Sequence, residues 1–264
     1  MADVVRTKVG VLDKAMAVLR VFPRGDVALF PREISRRTGL SLPTVYRLAG
    51  ALEEHGLLEK EGERFKLGIG LLHLGARVAG GIELRREVMP HLEWLSERTG
   101  ENAELHIRRE ETRVPIELAR SSQNLRPFVD IGAPLPLHLG AGGKVLLAWL
   151  PEDEREALAG ASAVRFGGSD PFDAAALREK LAEVRSGGWA VSDGERSPGV
   201  AAIAAPVFGA TGEVDGALIL SAPSVRLRAK QRRRFAPLVR EAAARSSRDL
   251  GYDGGQPASA EETA

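Results

Sequence analysis

The sequence predicts an α+β protein in two parts, short helices and a hairpin first, then an antiparallel sheet that shares its domain with helices. Three observations carry this. Over the first sixty residues apolar side chains recur at helical spacing and are interrupted by Gly and Pro. Beyond residue 84, strand-like segments group at both ends of a helical middle, the pattern of an antiparallel sheet with helices packed on it. The charge divides in the same way: residues 1–80 hold 13 Lys and Arg against 9 Asp and Glu, while the remainder is mildly acidic and the whole chain nets +1. With 264 residues, 44% of them hydrophobic, there is material for two ordinary cores.

Composition excludes several chemistries. No cysteine is present, which removes disulfides, thiolate nucleophiles and Cys-ligated metals. The five histidines, His55, His73, His91, His106 and His138, stand at least 15 residues apart, so no pair has the spacing of two metal ligands on one helical face. No metal and no cofactor is expected. Neither a membrane-spanning run nor a signal-peptide pattern occurs, so a cytoplasmic protein without membrane contact is expected.

Val11 to Phe22 sets Leu12, Ala15, Leu19 and Phe22 on one helical face and stops at Pro23 and Gly25. Pro31 opens a second helix, to Thr38, which ends at Gly39. Ser41 caps a third, Leu42 to His55, that turns Val45, Leu48 and Leu52 inward. This is a helix-turn-helix order. Ser41, Pro43, Thr44, Tyr46 and Arg47 are left outward near the third helix's N-terminus, where hydroxyls and a guanidinium reach base edges and phosphates. A hairpin follows, Leu57–Lys60 and Arg64–Leu67 around Glu61-Gly62-Glu63. Phe65 and Leu67 are expected to fold inward while Arg64 and Lys66 face the DNA backbone, although Glu59, Glu61 and Glu63 oppose contact at the tip. The plain alternative is a capped surface helix beside a structural hairpin.

Gly80-Gly81 interrupts the next helical stretch and marks the linker. Leu84 to Arg98 is a helix with Leu84, Val88, Leu92 and Leu95 on one face and Pro90 placed to kink it. Strands are expected at 103–108, 114–119, 201–208 and 216–221, and helices at 143–150, 152–158, 173–186 and 230–250. Gly251 to Ala264 has almost nothing apolar to bury and is expected to be a disordered tail.

The run Gly140-Ala141-Gly142-Gly143-Lys144 fails both phosphate-loop and dinucleotide-loop patterns. It can still offer backbone N–H groups at a helix start to a small carboxylate. His138 is either a pocket contact, a general base or a satisfied histidine; an enzyme acting on a small acid at Gly140–Gly143 with His138 is the competing functional class. Gly167-Gly168-Ser169-Asp170 breaks the serine-hydrolase elbow at its last position. Three-residue spacing puts Glu101 and Glu104 on opposite faces of a strand. Glu195 is equally a pocket rim or a solvated turn, and the basic run Arg226, Arg228, Lys230, Arg232, Arg233 and Arg234 reads as the solvated start of the last helix.

Three stretches together resemble the IclR family of bacterial transcriptional regulators: ISRRTGLSLPTVYRLAGALEEHGLL at 34–58 with FKLG at 65–68, PLHLGAGGKVLLA at 136–148, and GWAVSDGERSPGVAAIAAPVFGATGEVDGALILSAP at 188–223. The similarity runs from about Val11 to Leu250. It implies a winged helix-turn-helix domain (1–68), a linker helix (69–83), a GAF-like α/β effector-binding domain (84–250), and assembly as homodimers or dimers of dimers. It further implies that Gly140, Ala141, Gly142, Ser192 or Asp193, Val200, Ala202, Ile219 and Ser221 face an effector. Because Val200, Ala202 and Ile219 are apolar, an effector with an apolar body is expected. The expected partners are double-stranded operator DNA and that effector, and the expected role is effector-responsive regulation, with repression favoured over activation.

Overall fold

The computed structural model describes residues 10–23, 27–74, 83–166 and 173–254. The expected linker glycines Gly80-Gly81, the Gly167–Asp170 loop and the tail beyond residue 254 lie outside these residues. The chain forms two compact units, Met1–Gly81 and Ile82–Ala264.

The first unit contains helices α1 (Gly10–Arg20), α2 (Pro31–Thr38) and α3 (Leu42–Glu54) and a two-stranded antiparallel hairpin, β1 (Leu58–Glu61) and β2 (Arg64–Leu67). Proline at its first position starts α2, and Gly39 at φ +71 ends it, returning its N–H to the Ser35 carbonyl at 2.9 Å. Glu33 accepts the otherwise orphaned Phe30 N–H at 2.9 Å. The helix pair is packed on Val18, Ile34, Val45, Leu48, Leu52, Leu58 and Phe65. Two expectations are corrected. Val18, not Leu12, carries α1 into the core, and Leu12 is exposed. Leu67 is 42% exposed, because only Phe65 of β2 is fixed inward, by reciprocal backbone hydrogen bonds with Leu29 at 2.8 and 2.9 Å.

The second unit is built on a six-stranded antiparallel sheet. Its strands are β3 (Asn102–Arg109), β4 (Thr112–Ala119), β5 (Leu135–Pro136), β6 (Ala190–Asp193), β7 (Val200–Phe208) and β8 (Val214–Pro223), in the order β5-β4-β3-β8-β7-β6. Helix α4 (Glu83–Thr99) runs through Pro90 unbroken and packs with α8 (Ala229–Asp249) on one face, around Val88, Leu92, Leu105, Ile203, Leu218 and Val239. Helices α5 (Gly140–Ala148), α6 (Glu152–Phe166) and α7 (Ala174–Gly187) belong to the core of the other face, around Leu147, Leu181, Ala204 and Ile219. Alternation along the strands divides the sheet cleanly: Ala103 and Leu105 enter the first core, while Glu104 and His106 look the other way. Helix α6 runs eight residues beyond its expected end because Ala159 and Ser162 are themselves buried. The short edge strands β5 and β6 have too few residues for a periodic signal.

Candidate functional site

Two surfaces bring the candidate side chains together, one in each unit. On α3, burial of Val45, Leu48, Ala49 and Leu52 leaves the opposite face to solvent. Ser41, Pro43, Tyr46 and Arg47 are exposed there and Thr44 is half-buried. Ser41 and Thr44 hydroxyls share a hydrogen bond at 2.8 Å across the first turn. Tyr46 is 55% exposed, far more than a phenol with a packing role requires. On the hairpin, Arg64 sits over the Phe30 ring, 4.4 Å from its centroid, which holds the guanidinium beside the start of α2. Lys66 lies 3.9 Å from Glu59, so its charge is partly answered within the hairpin.

The second surface is a cavity on the α5 face of the sheet. It is lined by Gly140, Ala141 and Gly142, by Val200, Ala202, Ile219 and Ser221, and by a polar set that spacing alone does not reveal: Glu104, His106, Arg113 and Ser192, with Arg196 and Ser197. Strand register assembles it, since Glu104 faces Ile219 on β8 and Ala202 on β7 faces Ser221. Ser192 pairs with Ala202, so its neighbour Asp193 points to the other face. The placement of Asp193 at the cavity is therefore corrected. Its carboxylate is engaged by Arg232 and by Ser224, and these bonds hold it below the usual carboxylate range.

A hydrogen-bonded chain crosses the floor. Ser221 donates to one Glu104 oxygen, the other lies 2.8 Å from His106 Nε2, and His106 Nδ1 lies 2.6 Å from Arg113 Nη1. A guanidinium only donates, so Nδ1 must accept. His106 is then the neutral Nε2–H tautomer, donating to Glu104. Burial agrees, pushing His106 down to about 4 against the opposing effect of its hydrogen bond to Glu104. Burial alone would raise Glu104, yet its bonds from His106 and Ser221 and the charge of Arg113 outweigh that and keep it ionised. Burial, then the like charge of Arg196, pushes Arg113 down to about 10, so it stays cationic at neutral pH. Beside the apolar Val200, Ala202 and Ile219, from which an effector with an apolar body is expected, three ionisable side chains, each no more than 5% exposed, sit in the cavity floor.

The glycine run fits this geometry. Gly140 adopts φ +82 at the start of α5, a Cβ on Gly142 would overlap Ile219, and one on Gly143 would overlap the Leu137 carbonyl. Glu195 takes the Gly140 N–H at 3.0 Å and the buried Lys144 Nζ at 2.7 Å, which ties the loop after β6 to the helix start. Glu195 is thus a tether and no solvated turn. The basic run is likewise less free than expected, because Arg226 grips Glu101 with two hydrogen bonds of 2.6 and 2.7 Å and Arg232 holds Asp193.

His138 does not line the cavity. Its Nδ1 meets Ser162 Oγ at 2.9 Å, and that hydroxyl already accepts the Leu137 N–H at 2.8 Å. Within the cavity, Ser221 donates its hydroxyl proton to the Glu104 carboxylate and not to an imidazole. Among the described residues no group of three His, Asp or Glu could hold a metal ion, and no helix is long and apolar enough to cross a membrane.

Comparison with known proteins matches both units. The profile for the bacterial transcriptional regulator IclR C-terminal domain covers residues 76–248, and that for the IclR helix-turn-helix domain covers 11–62. The transcriptional regulator XynR of Escherichia coli K12 is 32% identical over 91% of this chain and 97% of its own. The crystal structure of Thermotoga maritima IclR superposes with a TM-score of 0.76 at 25% identity, over 91% of this chain and 98% of that one. An IclR homologue of Microbacterium hydrocarbonoxydans, crystallised with 4-hydroxybenzoate, shares the fold at a TM-score of 0.76 and 24% identity, over 91% of this chain and 99% of that one.

Proposed function

The chain belongs to the IclR family of bacterial transcriptional regulators, and from that premise we propose that it is a cytoplasmic regulator, not an enzyme, whose DNA affinity answers to a small carboxylate held in the second unit. Residues 1–68 are the DNA-binding head. Ser41, Pro43, Thr44, Tyr46 and Arg47 enter the major groove, and Arg64 and Lys66 touch the flanking phosphates. A homodimer, or a dimer of dimers, presents two such heads to half-sites one helical turn apart.

The observation that carries the ligand reading is a buried cation set beside a helix N-terminus in the lining of one cavity. Arg113 and Gly140–Gly142 line it side by side, the Arg113 guanidinium 3.3 Å from where a Gly140 Cβ would stand. The first N–H groups of a helix have no acceptor within it, and of these Glu195 occupies that of Gly140. A ligand carboxylate in this cavity would meet Arg113, Arg196 and the α5 start together on its wall. Ionised Glu104 and the Ser192 and Ser221 hydroxyls suit a hydroxyl on the same ligand, with Val200, Ala202 and Ile219 closing over its carbon atoms. The effector is thus a compact hydroxy acid.

Isothermal titration with lactate, gluconate, benzoate and 4-hydroxybenzoate, each beside its uncharged amide, tests this. One or more acids should bind, their amides at least tenfold more weakly, and Arg113→Met should abolish the preference. Binding of no acid, or equal binding of acid and amide, would sink the assignment. By linkage, the acid that binds must shift operator affinity by the same factor that operator shifts its own.

A further inference from the structure

A groove elsewhere on the second unit shares no lining residue with the effector cavity. Its apolar side is an aromatic row: Trp149 meets Phe208 edge-on at 5.5 Å, and Phe208 stacks on Tyr252 at 4.9 Å with 28° between the rings. Three arginines line it as well, Arg185 on α7 and Arg240 and Arg248 on α8. All three are exposed, and none has an acidic partner among the described residues. The acids that also line the groove do not cancel them. Glu241 is paired with Arg245, which leaves Asp253 against three cations.

The strand edge beside the groove does not invite a peptide strand. Strand β6 pairs with β7 only as far as Ala204, but the edge that β6 leaves uncovered carries Pro206, which has no N–H, and Phe208, whose N–H is already given to Ser247 Oγ at 2.9 Å. What remains is ring surface beside unpaired guanidinium groups. Aromatic faces and cations together recognise a flat ring that bears a negative charge.

We propose that this groove is a second small-molecule site, specific for a flat aromatic anion stacked against Tyr252 and Trp149 with its charge between Arg240 and Arg248. It gives the protein a second input that is chemically distinct from the hydroxy acid of the first cavity.

The test uses the full-length protein and the fluorescent probe anilinonaphthalene sulfonate, with uncharged phenylnaphthylamine as its counterpart. The sulfonate should bind saturably, one per chain, and the uncharged probe at least tenfold more weakly. Arg240→Ser with Arg248→Ser, both on the exposed face of α8, should weaken the sulfonate at least tenfold while circular dichroism stays unchanged. Arg113→Met should leave it unaffected. No saturable binding, or equal affinity in wild type and the arginine double variant, would overturn the second site. Loss of the probe in an Arg113→Met variant whose circular dichroism matches wild type would place it in the first cavity and overturn the second site as well. Failure of this test leaves the hydroxy-acid reading untouched, since none of its residues is altered in the arginine double variant.

Discussion

The exposed face of α3, proposed to read DNA, and the cavity beneath α5 are built by opposite means. The first is made by what a single helix turns away from its core: four buried residues on one side leave Ser41, Tyr46 and Arg47 outward, and every contact that sets this lies within the first unit. The second is made by strand register across a sheet, bringing Glu104, Arg113 and Ser221 together although 108 residues separate Arg113 from Ser221. An exposed face loses function when altered but keeps its fold. A cavity floored with buried charge couples function to stability, because removing one member strands the others.

The sharpest way to break that contrast is Arg113→Met. It leaves His106 and Glu104 without their cation and should lower the unfolding free energy by about 3–5 kcal/mol in urea titrations, while operator contacts on α3 are untouched. Arg47→Ala should do the reverse: about 1–3 kcal/mol lost in specific DNA binding, with melting temperature and acid binding unchanged. A comparable fall in stability would show that Arg47 packs as well as reads.

The cavity should also respond to pH where the recognition face does not. The folded-state value of His106 lies near 4 against 6.5 in the unfolded chain, so its contribution is complete above pH 6.5 and is lost as pH falls toward 4. Between pH 7.5 and 5 this amounts to roughly 2 kcal/mol. His106→Gln should flatten that part of the profile, and an unchanged slope would contradict the neutral tautomer. The smallest effect belongs to the hairpin: Arg64→Ala should weaken DNA binding uniformly across sequences and reduce the salt slope by about 1.

This contrast also decides what the sequence could reveal. The helices of the first unit declare themselves through Pro31, Gly39, Ser41 and the Val45-Leu48-Leu52 spacing, all signals local to ten residues. The apolar wall of the cavity, Val200, Ala202 and Ile219, was legible only through the resemblance to the family. The polar floor was not legible. Arg113 precedes Val114 in a strand that looks like any amphipathic one, and nothing near it announces that β4 will deliver its side chain to His106. The misplacement of Asp193 is the same limit at one-residue scale, because a slip by one reverses the face of a strand. Glu195 and Lys144 lie 51 residues apart, too far for either to signal the other.

The central claim is that the first unit reads a particular DNA sequence. Its most direct test is a salt titration of binding to the DNA immediately upstream of the protein's own coding region, against random duplex of equal length. Specific binding tighter by about a thousandfold or more at physiological salt is predicted. Equal affinities falling in parallel with salt would leave only the phosphate attraction common to any basic surface, and would contradict it.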